Sequence, residues 1–146
     1  MDFVRNENWW LYFPLILWIS GIFYLSSNKG SISNTSRFIS PIFHFLFPRA
    51  NEFQLKKYHH YLRKLCHFFG YGILAVFASL VFYDSSVNLL AKYWQIFAIG
   101  TVVIIASADE IKQSFYDSRD GSVYDVMIDS FGGLTMILLF WGLVKL

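Results

Sequence analysis

The chain has 146 residues and a net charge of +2, with 55% hydrophobic, 21% aromatic and only 15% charged residues. A soluble domain carries about 25% charged residues, and a chain this small cannot hide so much apolar surface from water. The weak net charge and the lack of a basic binding motif exclude a nucleic-acid-binding class. The single cysteine, Cys66, excludes an intrachain disulfide and reads as a small apolar side chain in or beside a helix.

The first uncharged apolar stretch covers residues 9–26 and opens with Trp9, Trp10 and Tyr12, rings that favour the headgroup zone. Pro14 falls near its start, where a missing N–H costs little. The stretch lacks a strongly basic lead and a small-x-small cleavage site, so it reads as a retained helix and not as a signal peptide. The connection over residues 28–65 is not plain linker. Phe38, Ile39, Ile42, Phe43, Phe45, Leu46 and Phe47 crowd between Arg37 and Pro48. That piece is too short to span a bilayer. It reads either as an interfacial or re-entrant segment or as a cover over the helix bundle. The basic run from Lys56 to Lys64 would attract anionic headgroups.

Three further apolar stretches cover residues 66–83, 93–108 and 126–144. Each of the four is roughly 16 to 19 residues, near the lower limit for crossing hydrocarbon. Lipid offers no water to backbone groups, so helices are the economical reading, and the alternating polarity of a barrel is absent. The expectation is an all-α fold: one domain over residues 1–146, an integral membrane bundle of four transmembrane helices with an interfacial segment between helices 1 and 2. No internal repeat is visible. Four spans place both termini on one face. The connections over residues 28–65 and 109–125 share the other face and hold Lys29, Arg37, Arg49, Lys56, Lys57, Arg63, Lys64, Lys112 and Arg119. The terminal face has Arg5, Lys92 and Lys145, so the positive-inside bias puts the long connections in the cytoplasm.

The polar residues concentrate at the ends of these stretches. Arg63, His67 and Tyr71 are spaced four apart and share a helix face, as do Asp109 and Gln113, and Asp125 and Asp129. Alternating topology brings all three sets to the same end of the bundle. The short third span leaves Asp109 and Glu110 at or just below the headgroup level. Asp129 lies about a turn inside the fourth. A lipid-facing carboxylate there costs on the order of 1 to 3 kcal/mol, so Asp129 should face the bundle interior, with Arg119, His67 and Lys64 as partners.

Ordinary structural roles compete with functional ones. His67 suits a hydrogen bond to a carboxylate, and Tyr71 a satisfied buried phenol. Asp125 suits a helix N-cap or an anion at a positive helix end. Gly121 suits a turn, and Gly132 and Gly133 suit close helix packing. A purely structural network would include Asp109, Glu110, Gln113, Arg119 and Asp129.

The combined pattern Arg63-Lys64-x-x-His67-x-x-x-Tyr71, then Asp109-Glu110-x-x-Gln113-x-Phe115, then Arg119-x-Gly121-Ser122-x-x-Asp125-Val126-x-x-Asp129-x-x-Gly132 resembles the VanZ-like membrane proteins. Residues 18–27, ending Leu25-Ser26-Ser27, are similar to the family's first helix. One departure is Asp129, where many members carry Asn. The resemblance covers nearly the whole chain and implies a small multi-pass protein of the bacterial cytoplasmic membrane. The family is named for a protein associated with low-level resistance to the glycopeptide teicoplanin, but the resemblance supplies no biochemical activity.

Three functional classes follow. The first is binding or modifying an amphiphilic cell-envelope molecule, a membrane lipid or a lipid-linked envelope precursor. Arg63, Lys64 and Arg119 would hold its anionic group, and Tyr71, Gln113, Asp125 and Asp129 would complete the site. The second is an intramembrane hydrolase or transferase on a lipid-linked substrate. It would use His67, Asp109 and Glu110 as general acid and base, or hold a divalent metal on His67, Asp109, Glu110 and Asp129. No established metal-ligand spacing, nucleophile elbow or phosphate loop accompanies them. The third is a small oligomeric carrier, since intramembrane carboxylates mark ion paths. The sequence specifies no cofactor and no oligomeric state.

Overall fold

The computed structural model describes residues 8–27, 32–116 and 121–146, and for residues 32–34 the backbone alone. All regular structure among them is helical. A 3-10 turn at Trp9–Leu11 leads into α1 (Tyr12–Leu25), followed by α2 (Ile32–Leu46), α3 (Glu52–Tyr83), the short α4 (Asn88–Lys92), α5 (Trp94–Gln113) and α6 (Val123–Val144).

Three helices, α3, α5 and α6, are long and apolar enough to cross a membrane. The apolar helix Trp9–Leu25 is shorter. At 1.5 Å per residue it reaches about 25 Å, against a hydrocarbon core of about 30 Å. The bundle thus holds three long apolar helices and one shorter one. Membrane character is also written on the outside of the bundle. Ile96, Ile104, Phe131 and Leu138 are all more than half exposed, a surface that lipid accepts and water does not.

α3 is the longest element and begins well before the apolar stretch that marks it in the sequence. Its start is set by a reciprocal cap. The Asn51 side chain accepts from Gln54 N, and the Gln54 side chain accepts from Asn51 N, both at 2.9 Å. α2 is an amphipathic helix laid against this first half of α3. Its Phe43 ring meets Tyr58 and His59 edge on, and Thr35 Oγ1 lies 3.1 Å from His59 Nε2. Phe38, Ile42, Phe45 and Leu46 point outward.

The core lies where α3, α5 and α6 cross. Leu74, Ala75 and Ala78 of α3 meet Ala98, Val102 and Ala106 of α5, all fully buried. Two adjacent glycines let α6 sit close to both neighbours. A Cβ at Gly132 would collide with the Phe68 carbonyl of α3, and one at Gly133 would come within 2.8 Å of Val102 Cγ1 of α5. Such small-residue contacts supply the van der Waals packing that holds helices together in lipid, where burial from water is no longer a driving force. Tyr83, Trp94 and Phe140 close one end of the bundle. α1 is pinned at three points: Asn8 Nδ2 donates to Asp84 Oδ2 (2.6 Å), Trp18 Nε1 to Gly70 O (2.8 Å), and Phe23 O accepts from Lys112 Nζ (2.6 Å).

Candidate functional site

The last turn of α5 carries Asp109, Glu110 and Gln113, each at most 4% exposed. The helix continues past the apolar stretch to Gln113, so these three stay on one rigid element. Gln113 organises them. Its Nε2 donates to Asp109 Oδ2 (3.0 Å) and Glu110 Oε1 (3.1 Å), while its Oε1 accepts from Arg63 Nη2 (3.1 Å). Carboxylates only accept and a guanidinium only donates, so the amide can face both only in this orientation.

The start of α6 supplies the second wall. Ser122 is the N-cap, its side chain accepting from Tyr124 N at 3.1 Å. Its own N–H donates to Glu110 Oε2 at 2.9 Å, which ties the beginning of α6 to the end of α5. The preceding Gly121 lies so close that a Cβ there would strike the Glu110 carbonyl. Asp125 follows in the first turn, where a carboxylate meets the positive helix end, and pairs with Lys64 at 2.5 Å. Lys64 also lies 5.0 Å from the Tyr124 ring centroid. One turn deeper, Asp129 is fully buried.

α3 forms the third wall. His67 Nδ1 lies 3.4 Å from each oxygen of Asp129, with hydrogen-bond geometry to Oδ2. Tyr71 sits a turn further in, 2% exposed, its ring 6.2 Å from that of His67. Its hydroxyl has no hydrogen-bond partner within 3.5 Å; it lies beside the Asp109 carboxylate and within electrostatic reach of Asp129 and Glu110. Asp109 Oδ1 and Asp129 Oδ1 are likewise buried without a hydrogen bond. One ligand atom each from His67, Glu110 and Asp129 falls within 4.8 Å of the others. Counted from the opposite helix ends, His67, Asp109 and Asp129 lie at a common depth of about 22 to 24 Å.

The structure thus gathers Arg63, Lys64, His67, Tyr71, Asp109, Glu110, Gln113, Asp125 and Asp129. Tyr71, Asp109, Glu110, Gln113 and Asp129 are buried, and Arg63, Lys64, His67 and Asp125 stand partly exposed around them. Arg119 lies outside the described residues. Lys64 pairs with Asp125 and leaves Asp129 to His67. The N-cap role that the sequence offers to Asp125 belongs to Ser122, and the spacing Ser122-x-x-Asp125 is the signal for it.

Beside this cluster lies a cavity of about 570 Å³ between α1, α2 and α3. Trp18, Ile22, Leu25, Ile39, Leu62 and Ile73 give it apolar walls; Arg63, His67, Tyr71 and Asp109 also line it. Trp18, Thr35 and His59 belong to this lining and carry no signal in the sequence beyond being amphipathic or polar on otherwise apolar helices.

A bundle of long apolar helices that buries three carboxylates and an amide beside a partly exposed imidazole is a multi-pass membrane protein with a polar site at one end of its helices. A model of the VanZ/LLP1 family matches residues 10–145, and the chain belongs to that family. No curated protein and no solved structure matches it.

Proposed function

We propose that the protein binds an anionic amphiphile of the cell envelope, a membrane lipid or a lipid-linked precursor, in the bacterial cytoplasmic membrane. α1 completes a bundle of four spans in this reading, and the polar end faces the cytoplasm. The observation that carries the proposal is the cavity: apolar along α1 and α3, with Arg63, His67, Tyr71 and Asp109 also in its lining. An acyl or prenyl chain suits the walls. Arg63 uses one of five N–H donors on Gln113, and a guanidinium is suited to a phosphate.

Native mass spectrometry with an anionic and a zwitterionic phospholipid tests this. Arg63→Ala should weaken the anionic lipid about tenfold, the loss of roughly 1.4 kcal/mol. Gly21 lines the cavity, and a Cβ there meets nothing within 4 Å, so Gly21→Trp should fill the space and exclude both lipids. Unaltered binding of both lipids in both variants removes the proposal.

A second reading, acid–base chemistry on the headgroup, is favoured by His67 and Asp109 lining the same cavity. Its readout is turnover of the bound lipid. A link to teicoplanin resistance rests on the member for which the family is named and on no geometry of this chain.

A further inference from the structure

We infer that His67, Glu110 and Asp129 form a binding site for one divalent first-row metal ion, with Asp109 and Tyr71 beside it. The inference does not depend on what fills the neighbouring cavity.

The first support is geometric. One nitrogen and two carboxylate oxygens from three different helices lie within 4.8 Å of one another. Ligands about 2.1 Å from a common ion stand about 3.0 to 3.5 Å apart, so closure asks for a shift of about 1.5 Å, within reach of side-chain rotation. The helices that hold them are fixed close by, because Gly132 brings α6 against the Phe68 backbone and Ser122 N holds Glu110 in place.

The second support is the state of the neighbouring groups. Asp109 is outside the triad, 1% exposed, and its Oδ1 has no hydrogen bond. The Tyr71 hydroxyl is equally buried; it lies beside the Asp109 carboxylate with no partner within 3.5 Å, and within electrostatic reach of all three carboxylates. Buried polar atoms are satisfied in nearly all native structures, and an exception calls for an explanation, of which an ordered water or an ion is one. An ion would account for both: water bound to it would donate a hydrogen bond to Asp109 Oδ1, with the Tyr71 hydroxyl alongside.

The third support is charge. Asp109, Glu110 and Asp129 are buried together. Among the described residues Lys64 is ion-paired with Asp125, while Lys112 and Arg63 hydrogen-bond the neutral Phe23 carbonyl and Gln113 amide and make no ion pair with these three carboxylates. Among the described residues His67 is the one basic side chain within ion-pair distance of any of the three, and it reaches Asp129; the other bonds, from Gln113 and Ser122 N, come from neutral donors. A divalent ion offsets carboxylate charge that burial would otherwise make very costly. One imidazole and carboxylates, with no thiolate, suit Zn²⁺ or Mn²⁺.

The test uses tag-free, full-length protein in detergent, stripped with a chelator and then equilibrated with ZnCl₂ or MnCl₂. Elemental analysis and calorimetry read the result. One saturable ion per chain is expected, with at least tenfold weaker binding in Asp129→Asn, Glu110→Gln and His67→Gln. Gly21→Trp, which blocks only the cavity, should bind the ion as the parent does, so loss of lipid binding and loss of metal binding are separable. Helical circular dichroism and a monodisperse elution profile identify the folded variants. Failure of the parent protein to take up either ion overturns the inference. So does undiminished binding in folded triad variants.

Discussion

The two ends of the α3–α5–α6 bundle are closed by opposite means. At one end Tyr83, Trp94 and Phe140 meet edge to face with centroids 5.3 to 6.3 Å apart, and no charge is buried among them. At the other end the same three helices meet through carboxylates, an amide and an imidazole. Edge-to-face rings add about 0.5 to 1.5 kcal/mol per pair beyond their area. Buried ionic groups, by contrast, gain little over apolar replacements once desolvation is counted. The fold thus draws its cohesion from the aromatic end and the glycine crossing more than from the polar end.

The largest effect expected from disturbing this arrangement is steric. Gly132→Leu drives a side chain into the Phe68 backbone, where no rotamer can yield, and should cost on the order of 3 kcal/mol in detergent unfolding. An unchanged midpoint would mean that α3 and α6 are not in close contact. Next comes a direct contest between the ends. Trp94→Ala, at a ring 4% exposed, should lose about 3 kcal/mol, while Asp129→Asn should lose less than about 1 kcal/mol or gain stability when no metal is added. Equal losses would erase the distinction between the ends. The smallest change is expected at the rim. Lys64 and Asp125 are partly exposed, so Lys64→Met should move the unfolding midpoint by less than about 1 kcal/mol.

Much of this division is legible in the chain itself. The i, i+4 spacing of Asp109 and Gln113 becomes the hydrogen bond between them, because a helix brings such positions together whatever surrounds it. The paired glycines become the crossing point of α6. The alternating order of the spans explains why residues from three stretches share one end. Other features depend on distance across the bundle, which no spacing encodes. That Arg63 would choose Gln113, and Lys64 choose Asp125 over Asp129, follows from helix rotation and depth. The cavity beside α1 requires knowing how Trp18 docks on Gly70. The early start of α3 was readable, since Asn51-x-x-Gln54 is a capping signature, but the apolar boundary at Cys66 is the louder signal.

The unbroken run of α3 from Glu52 to Tyr83 sets the aim of its central side chains. Its outer half is gripped at His59 by Thr35 and Phe43, and its far end at Tyr83 by Trp94 and Phe140. A helix held at two levels cannot swivel between them, so the backbone presents His67 to Asp129 at a fixed angle. One residue inserted between the grips corresponds to about 100° of twist. The stretch from His59 to Tyr83 therefore tolerates changes of side chain far better than changes of length.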